Sequence, residues 1–198
     1  MTDMWFCRQG SVRLTYRRVG SRSRVREDAL SSAELLTDAF GRIRETVLDV
    51  MSGLTPDQLT RRLDPEANPI GWLIWHLTRV QDDHVAGAFG VRQVWRDGGW
   101  AARFGLPEGT MEIGYGHRPA QVAAVSAKVS ADPALLVEYH EATYQQTVKH
   151  VSAIKDADLA RVVDRSWTPA VTLGVRLVID DDMQHAGQAA FVRGLLPH

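Results

Sequence analysis

The chain has 198 residues, 44% hydrophobic and 24% charged, with a formal charge of −1. That is enough apolar material for one ordinary globular domain and too little basicity for a general nucleic-acid or membrane-surface role. Its single cysteine, Cys7, excludes an internal disulfide and points to a reducing cytoplasm, and no run approaches the roughly 20 apolar residues of a membrane span.

Residues 1–28 carry Arg8, Arg13, Arg17, Arg18, Arg22, Arg24 and Arg26 with little helical period. They read as a basic, poorly ordered arm, or as a start placed too far upstream, ahead of a domain at 29–198. A grip on nucleic acid is the competing reading. Cys7 has no His or Asp motif around it and receives no catalytic role.

The first helix is predicted over Ser32–Met51, with Leu35, Leu36, Ala39, Ile43, Val47 and Val50 as its inward stripe. Ser52-Gly53 ends it, and Thr55-Pro56-Asp57 opens a short helical turn. The second helix is predicted from Asn68, a possible cap, with Pro69 at the first helical position, to Phe89. Ile70, Leu73, Leu77 and Val80 share its inward face. His84 lands within that face, His76 at its flank and Asp83 close behind. Imidazoles so placed need partners, because an unpaired buried polar group costs about 1–3 kcal/mol.

Residues 90–130 are rich in glycine and read as a long irregular segment. Trp95, Trp100, Phe104 and Tyr115 within it are more than a solvated linker needs. The expectation is a lid packed across the end of the molecule near His76, with a short helix starting at Arg118-Pro119. The third helix is predicted from Asp132-Pro133 to about Ile154, and the fourth from about Thr172 to Gly194 or Leu196. In the fourth, Gly174, Val178, Asp181, His185, Ala189, Val192 and Leu196 fall on one stripe, so Asp181 and His185 lie inside it. Four long helices and no convincing strand predict an all-α four-helix bundle.

Asp181 and His185, four residues apart on a helix, stand about 6 Å from each other. With His76 from the second helix they make two imidazoles and one carboxylate, a donor set that suits a divalent ion with an open position. The competing reading is a buried Asp181–His185 hydrogen bond beside a satisfied core histidine. His84 lies about 12 Å along its helix from His76 and is cast as a pocket residue rather than a ligand. His117, His140, His150 and His198 carry no motif. No Gly-rich phosphate loop, CxxC or Ser-His-Asp order is present.

The blocks IGWLIWHLTRVQDD (70–83) and MQHAGQAAFVRGLL (183–196) resemble the DinB-like metalloprotein superfamily, and WRDGGWAARFGLP and IGYGH resemble its actinobacterial branch. The likeness covers most of the chain from about residue 30. It implies a DinB-type bundle and a metal held by His76 and His185, with Asp181 where the family usually has the first His of an HxxxH pair. A carboxylate there resembles mycothiol-dependent maleylpyruvate isomerase, although Asp is one methylene shorter than Glu. The implied activity is S-transfer or isomerisation of a small electrophile. It would use a divalent ion, zinc or nickel, with mycothiol, bacillithiol or another low-molecular-weight thiol bound as thiolate. His76, Asp181 and His185 would be catalytic, while His84, Gln188 and Arg193 would contact substrate. A homodimer is implied by the same resemblance. The alternative is a non-catalytic stress or interaction protein with a structural or vestigial ion.

Overall fold

A computed structural model describes residues 30–107 and 109–196. The basic arm, Cys7 and His198 lie outside these. Helix α1 (Ser32–Met51) starts with a capping box, Ser31 accepting from the Glu34 backbone N–H and Glu34 reaching back to Ser31. Phe40, Ile43, Val47 and Val50 form its buried stripe. Leu35, expected inward, is exposed instead. Five residues turn the helix through about 500°, so Leu35 points about 140° away from Phe40, the residue that sets the stripe. Helix α2 (Pro56–Thr60) opens with Thr55 and Gln58 in the same reciprocal arrangement.

Helix α3 (Ile70–Phe89) departs from expectation at its start. The cap position falls on Pro69 in extended backbone, no side chain caps the helix, and Asn68 lies outside it. It ends at Gly90 in the left-handed region (φ 65°). Every residue from Ile70 to Asp82 is buried. A helix covered all round is a central one, and α3 packs against α2 and later elements on every side.

The segment expected to be irregular carries three further helices, α4 (Val94–Asp97), α5 (Trp100–Arg103) and α6 (Pro119–Val129). Trp95, Trp100 and Phe104 are buried and meet the Tyr139 ring at centroid distances of 5.2, 5.1 and 6.2 Å. Tyr115, expected to pack with them, is 90% exposed. Helix α7 (Pro133–Val151) begins as predicted, with Asp132 accepting from the Leu135 N–H at 3.1 Å.

A 3-10 turn (Asp156–Ala160) leads into a short antiparallel pair, β1 (Val162–Asp164) and β2 (Val171–Thr172), which the sequence reading did not anticipate. The predicted fourth helix is not continuous. It divides into α8 (Leu173–Arg176) and α9 (Ile179–Gly194), with Val178 between them in the left-handed region at φ 49°. A β-branched residue is costly in that conformation, so the break is held by packing: α8 lies on α3 and on the 3-10 turn.

The molecule is mostly helical. Its four longest helices enclose the core, α1 and α3 each packing against both α7 and α9. No described helix is long and apolar enough to cross a membrane.

Candidate metal centre

Three side chains from α3 and α9 face one another. One ligand atom from each of His76, Asp181 and His185 lies within 4.8 Å of the others. Tetrahedral zinc holds neighbouring ligand atoms roughly 3.4 Å apart, so a modest closure of these side chains would complete the set.

The hydrogen bonds leave the right atoms free. His76 Nδ1 donates to the Ile113 carbonyl. A carbonyl can only accept, so the Nδ1 proton is fixed and Nε2 of the neutral ring carries the lone pair. Burial, with His185 nearby, holds the His76 pKa below its ordinary value and keeps that ring neutral. The ring stacks on Trp72 at 4.5 Å and meets His185 edge-on at 4.8 Å. His185 Nδ1 bonds Gln188 Oε1 at 2.9 Å, which turns Nε2 towards Asp181 Oδ1, 3.6 Å away and beyond hydrogen-bond reach. Asp181 Oδ2 is buried and has no hydrogen-bond partner among the described residues. Two imidazole lone pairs and an unsatisfied carboxylate thus share one space, and this fits a divalent cation better than a closed hydrogen-bonded core.

The lid decides the orientation of His76. Gly114, beside Ile113, has φ 91°, and a Cβ there would meet His76 Nδ1 and Trp75 at 2.9 Å and Trp72 at 3.1 Å. Only glycine lets the loop come so close. The loop is anchored one turn along α3 by Arg79, whose side chain is fully buried. Its Nε donates to the Glu112 carbonyl and its Nη2 to the Met111 carbonyl and Gln93 Oε1, at 3.1–3.3 Å. Its Nη1 donates to Asp82 Oδ2 and Tyr139 Oη. Asp82 in turn accepts from the Val94 and Trp95 N–H groups at 2.8 and 2.7 Å and from the Tyr139 hydroxyl at 2.9 Å.

The other expected site residues are distributed unevenly. His84 is half-buried, its Nδ1 has no partner among the described residues, and burial followed by the positive charge of Arg176 lowers its pKa. Gln188 is engaged with His185. Arg193 donates to the Ser52 carbonyl at 3.0 Å and so braces the end of α1, about 12 Å along α9 from His185. The cation that does lie beside His84 is Arg176 on α8. It stands 3.9 Å from Asp83 and 3.8 Å from Asp164 and makes no hydrogen bond with a described residue. It lies over Gly87, where a Cβ would come within 3.5 Å of its Nη2. Sequence reasoning missed Arg176 because it placed that residue on a continuous helix, and it missed Ile113 because a backbone acceptor has no side-chain signature. His117 also has more partners than its loop suggested: Trp72 Nε1 donates to its Nδ1 at 3.4 Å, and its Nε2 meets Glu112 at 3.3 Å.

The sequence profile described as the DinB superfamily matches residues 23–189. Among solved structures, a conserved protein from Enterococcus faecalis is similar. It is 30% identical, with a TM-score of 0.73 over 83% of this chain and 96% of that one. No curated protein matches.

Proposed function

The chain belongs to the DinB superfamily, whose members bind divalent metal, and from that premise we propose a metal-dependent thiol S-transferase or isomerase. In this reading His76, Asp181 and His185 hold the ion, zinc or nickel, on a DinB-type four-helix bundle. The cosubstrate is a low-molecular-weight thiol of the mycothiol type, as in the actinobacterial branch, and the partner is a small electrophile. The protein would work in the cytoplasm as a homodimer.

One observation carries the reading: Asp181 Oδ2 is buried without a partner among the described residues while both neighbouring imidazoles present a free lone pair. A bound divalent ion supplies Lewis acidity, which lowers the pKa of a coordinated thiol so that thiolate forms near neutral pH. The chain's own residues prepare the place. The Ile113 carbonyl fixes the His76 tautomer and Gln188 orients His185. Burial keeps His76 unprotonated. His84 lies within the field of Asp181 and has Arg176 beside it, so these two are the donors proposed to meet a substrate's polar group.

A non-catalytic protein with a vestigial ion is the second reading, favoured by the 4.8 Å spread of the ligand atoms, which is wider than a bound zinc requires. Metal analysis of protein purified without an affinity tag decides the site, and consumption of mycothiol with monobromobimane as model electrophile decides the activity. About one ion per chain is expected, lost in Asp181→Ala and retained in Asp181→His, with thiol consumption accelerated by the metal-loaded parent alone among the parent and the alanine variant. Unchanged stoichiometry in Asp181→Ala would remove the site. One ion without acceleration would leave the second reading.

A further inference from the structure

We propose that residues 111–114 form a strap that sets the metal affinity of the triad, with Gly114 as a positioning residue that acts through His76. This rests on the metal-holding role of His76, Asp181 and His185, and adds the element on which their affinity depends.

Three consecutive carbonyls of the strap are taken by two side chains of α3. Arg79 donates to those of Met111 and Glu112, and His76 donates to that of Ile113. The two side chains are three residues apart and so lie on the same side of the helix. This fixes the register: with Arg79 engaged, the next carbonyl along the strap falls at His76 Nδ1. Arg79 is itself held by Asp82, Tyr139 and Gln93. The strap therefore takes its position from the core of the molecule and passes it on to the triad.

His76 cannot follow if the strap moves. Its ring is stacked on Trp72 at 4.5 Å and meets His185 edge-on at 4.8 Å. A Cβ at position 114 would come within 2.9 Å of His76 Nδ1, the atom that bonds Ile113, and within 2.9 and 3.1 Å of Trp75 and Trp72 carbons. Both indoles are rigid and buried, with little room to retreat in a close-packed interior. A side chain at 114 must therefore lift the strap, and the Ile113 carbonyl goes with it. Nothing then holds the proton on Nδ1, and either ring nitrogen can carry it. A ring protonated at Nε2 turns an N–H towards the shared space and offers an ion no lone pair there. Gly116 separates this effect from backbone strain. It too has a positive φ, 72°, but a Cβ there would meet no described atom within 4 Å. Alanine is strained at either position, and only at 114 does it reach His76.

The test uses the full-length chain carrying 15N-labelled histidine, with the His76 signals identified by their loss in His76→Gln. At about pH 8, above the ordinary histidine pKa of about 6.5, the metal-free parent should show a single tautomer with the proton on Nδ1. Gly114→Ala should show both tautomers, and Gly116→Ala should match the parent. Competition for Zn2+ against a chelating dye should give about 10- to 100-fold weaker binding in Gly114→Ala and unchanged binding in Gly116→Ala. A packing role alone would lower the unfolding midpoint and move neither reading. The parent's tautomer in Gly114→Ala, or equal zinc affinity in Gly114→Ala and a zinc-binding parent, would overturn the role of the strap alone. A parent that binds no zinc would overturn the metal centre, and the strap's role with it.

Discussion

Two buried polar clusters lie one turn apart on α3 and differ in how fully the chain answers them. Around Arg79 every donor has an acceptor: its five N–H groups reach Asp82, Tyr139, Gln93 and two lid carbonyls, and both Asp82 oxygens accept hydrogen bonds from described groups. Around His76 the chain satisfies the outer nitrogens and leaves the inward atoms bare. The first cluster is complete without a ligand and holds the loop at Met111 and Glu112 to the helical core. The second has no such completion among the described residues and is a group that could hold a metal ion. An orphaned atom alone would not establish this. Asp182 is fully buried with neither oxygen partnered among the described residues, and burial pushes its pKa well up, which disfavours the charged form. The triad differs because three lone-pair donors from two helices converge.

The comparison breaks most visibly if the complete cluster is cut. Asp82→Ala strands a buried guanidinium and frees the start of α4, and should cost about 3–5 kcal/mol, read by chemical denaturation of the metal-free protein. A loss below about 1 kcal/mol would mean that the lid is held by its aromatic residues instead.

His140 is an intermediate case. Thr78 gives its proton to the Ile74 carbonyl, so its oxygen accepts from His140 Nδ1–H, and His140 Nε2 is left without a partner among the described residues. Burial lowers its pKa to about 4. Below pH 6.5 the unfolded chain takes up a proton that the folded chain refuses, so this contribution to stability is intact above pH 6.5. It is lost as pH falls to about 4, at about 1.4 kcal/mol per unit and about 3 kcal/mol in all. His76 and His84 act in the same direction. Unfolding midpoints of the metal-free parent and His140→Gln across that range isolate the effect: the variant's stability should fall less steeply, and parallel curves would refute the assignment.

The smallest expected effect sharpens the comparison from the other side. Gln188 orients His185 without facing the shared space itself. Gln188→Leu should lower metal affinity about 10- to 100-fold, or about 1.4–2.7 kcal/mol, while the metal-free unfolding midpoint stays the same. Competition with a chelating dye measures the first, and an unchanged affinity would take Gln188 out of the site.

Periodicity by itself determined a good deal. The spans of α1 and α7 follow from apolar spacing and cap chemistry, with Asp132 capping as its type predicts, whereas the start of α3 does not. The four-residue step from Asp181 to His185 placed a carboxylate and an imidazole on one face of whatever helix formed. His76 was notable because an imidazole stood beside a face of Ile, Leu and Val. These are local facts, set within one or two helical turns, and a linear reading can reach them.

Tertiary structure decided which atoms of those residues are free. The acceptor that fixes His76 comes from Ile113, 37 residues away, on a loop whose approach depends on the positive φ of Gly114 and on Arg79 anchoring its neighbours. Arg176, rather than Arg193, lies beside His84 because α8 packs on α3 and the chain breaks at Val178, where intrinsic preference favours continuation. Even the inward stripe of α1 needed Phe40, not Leu35, to set its phase. Sequence spacing specifies a face, but which partners fill or vacate that face depends on contacts between distant segments, and these exist only once the chain has folded.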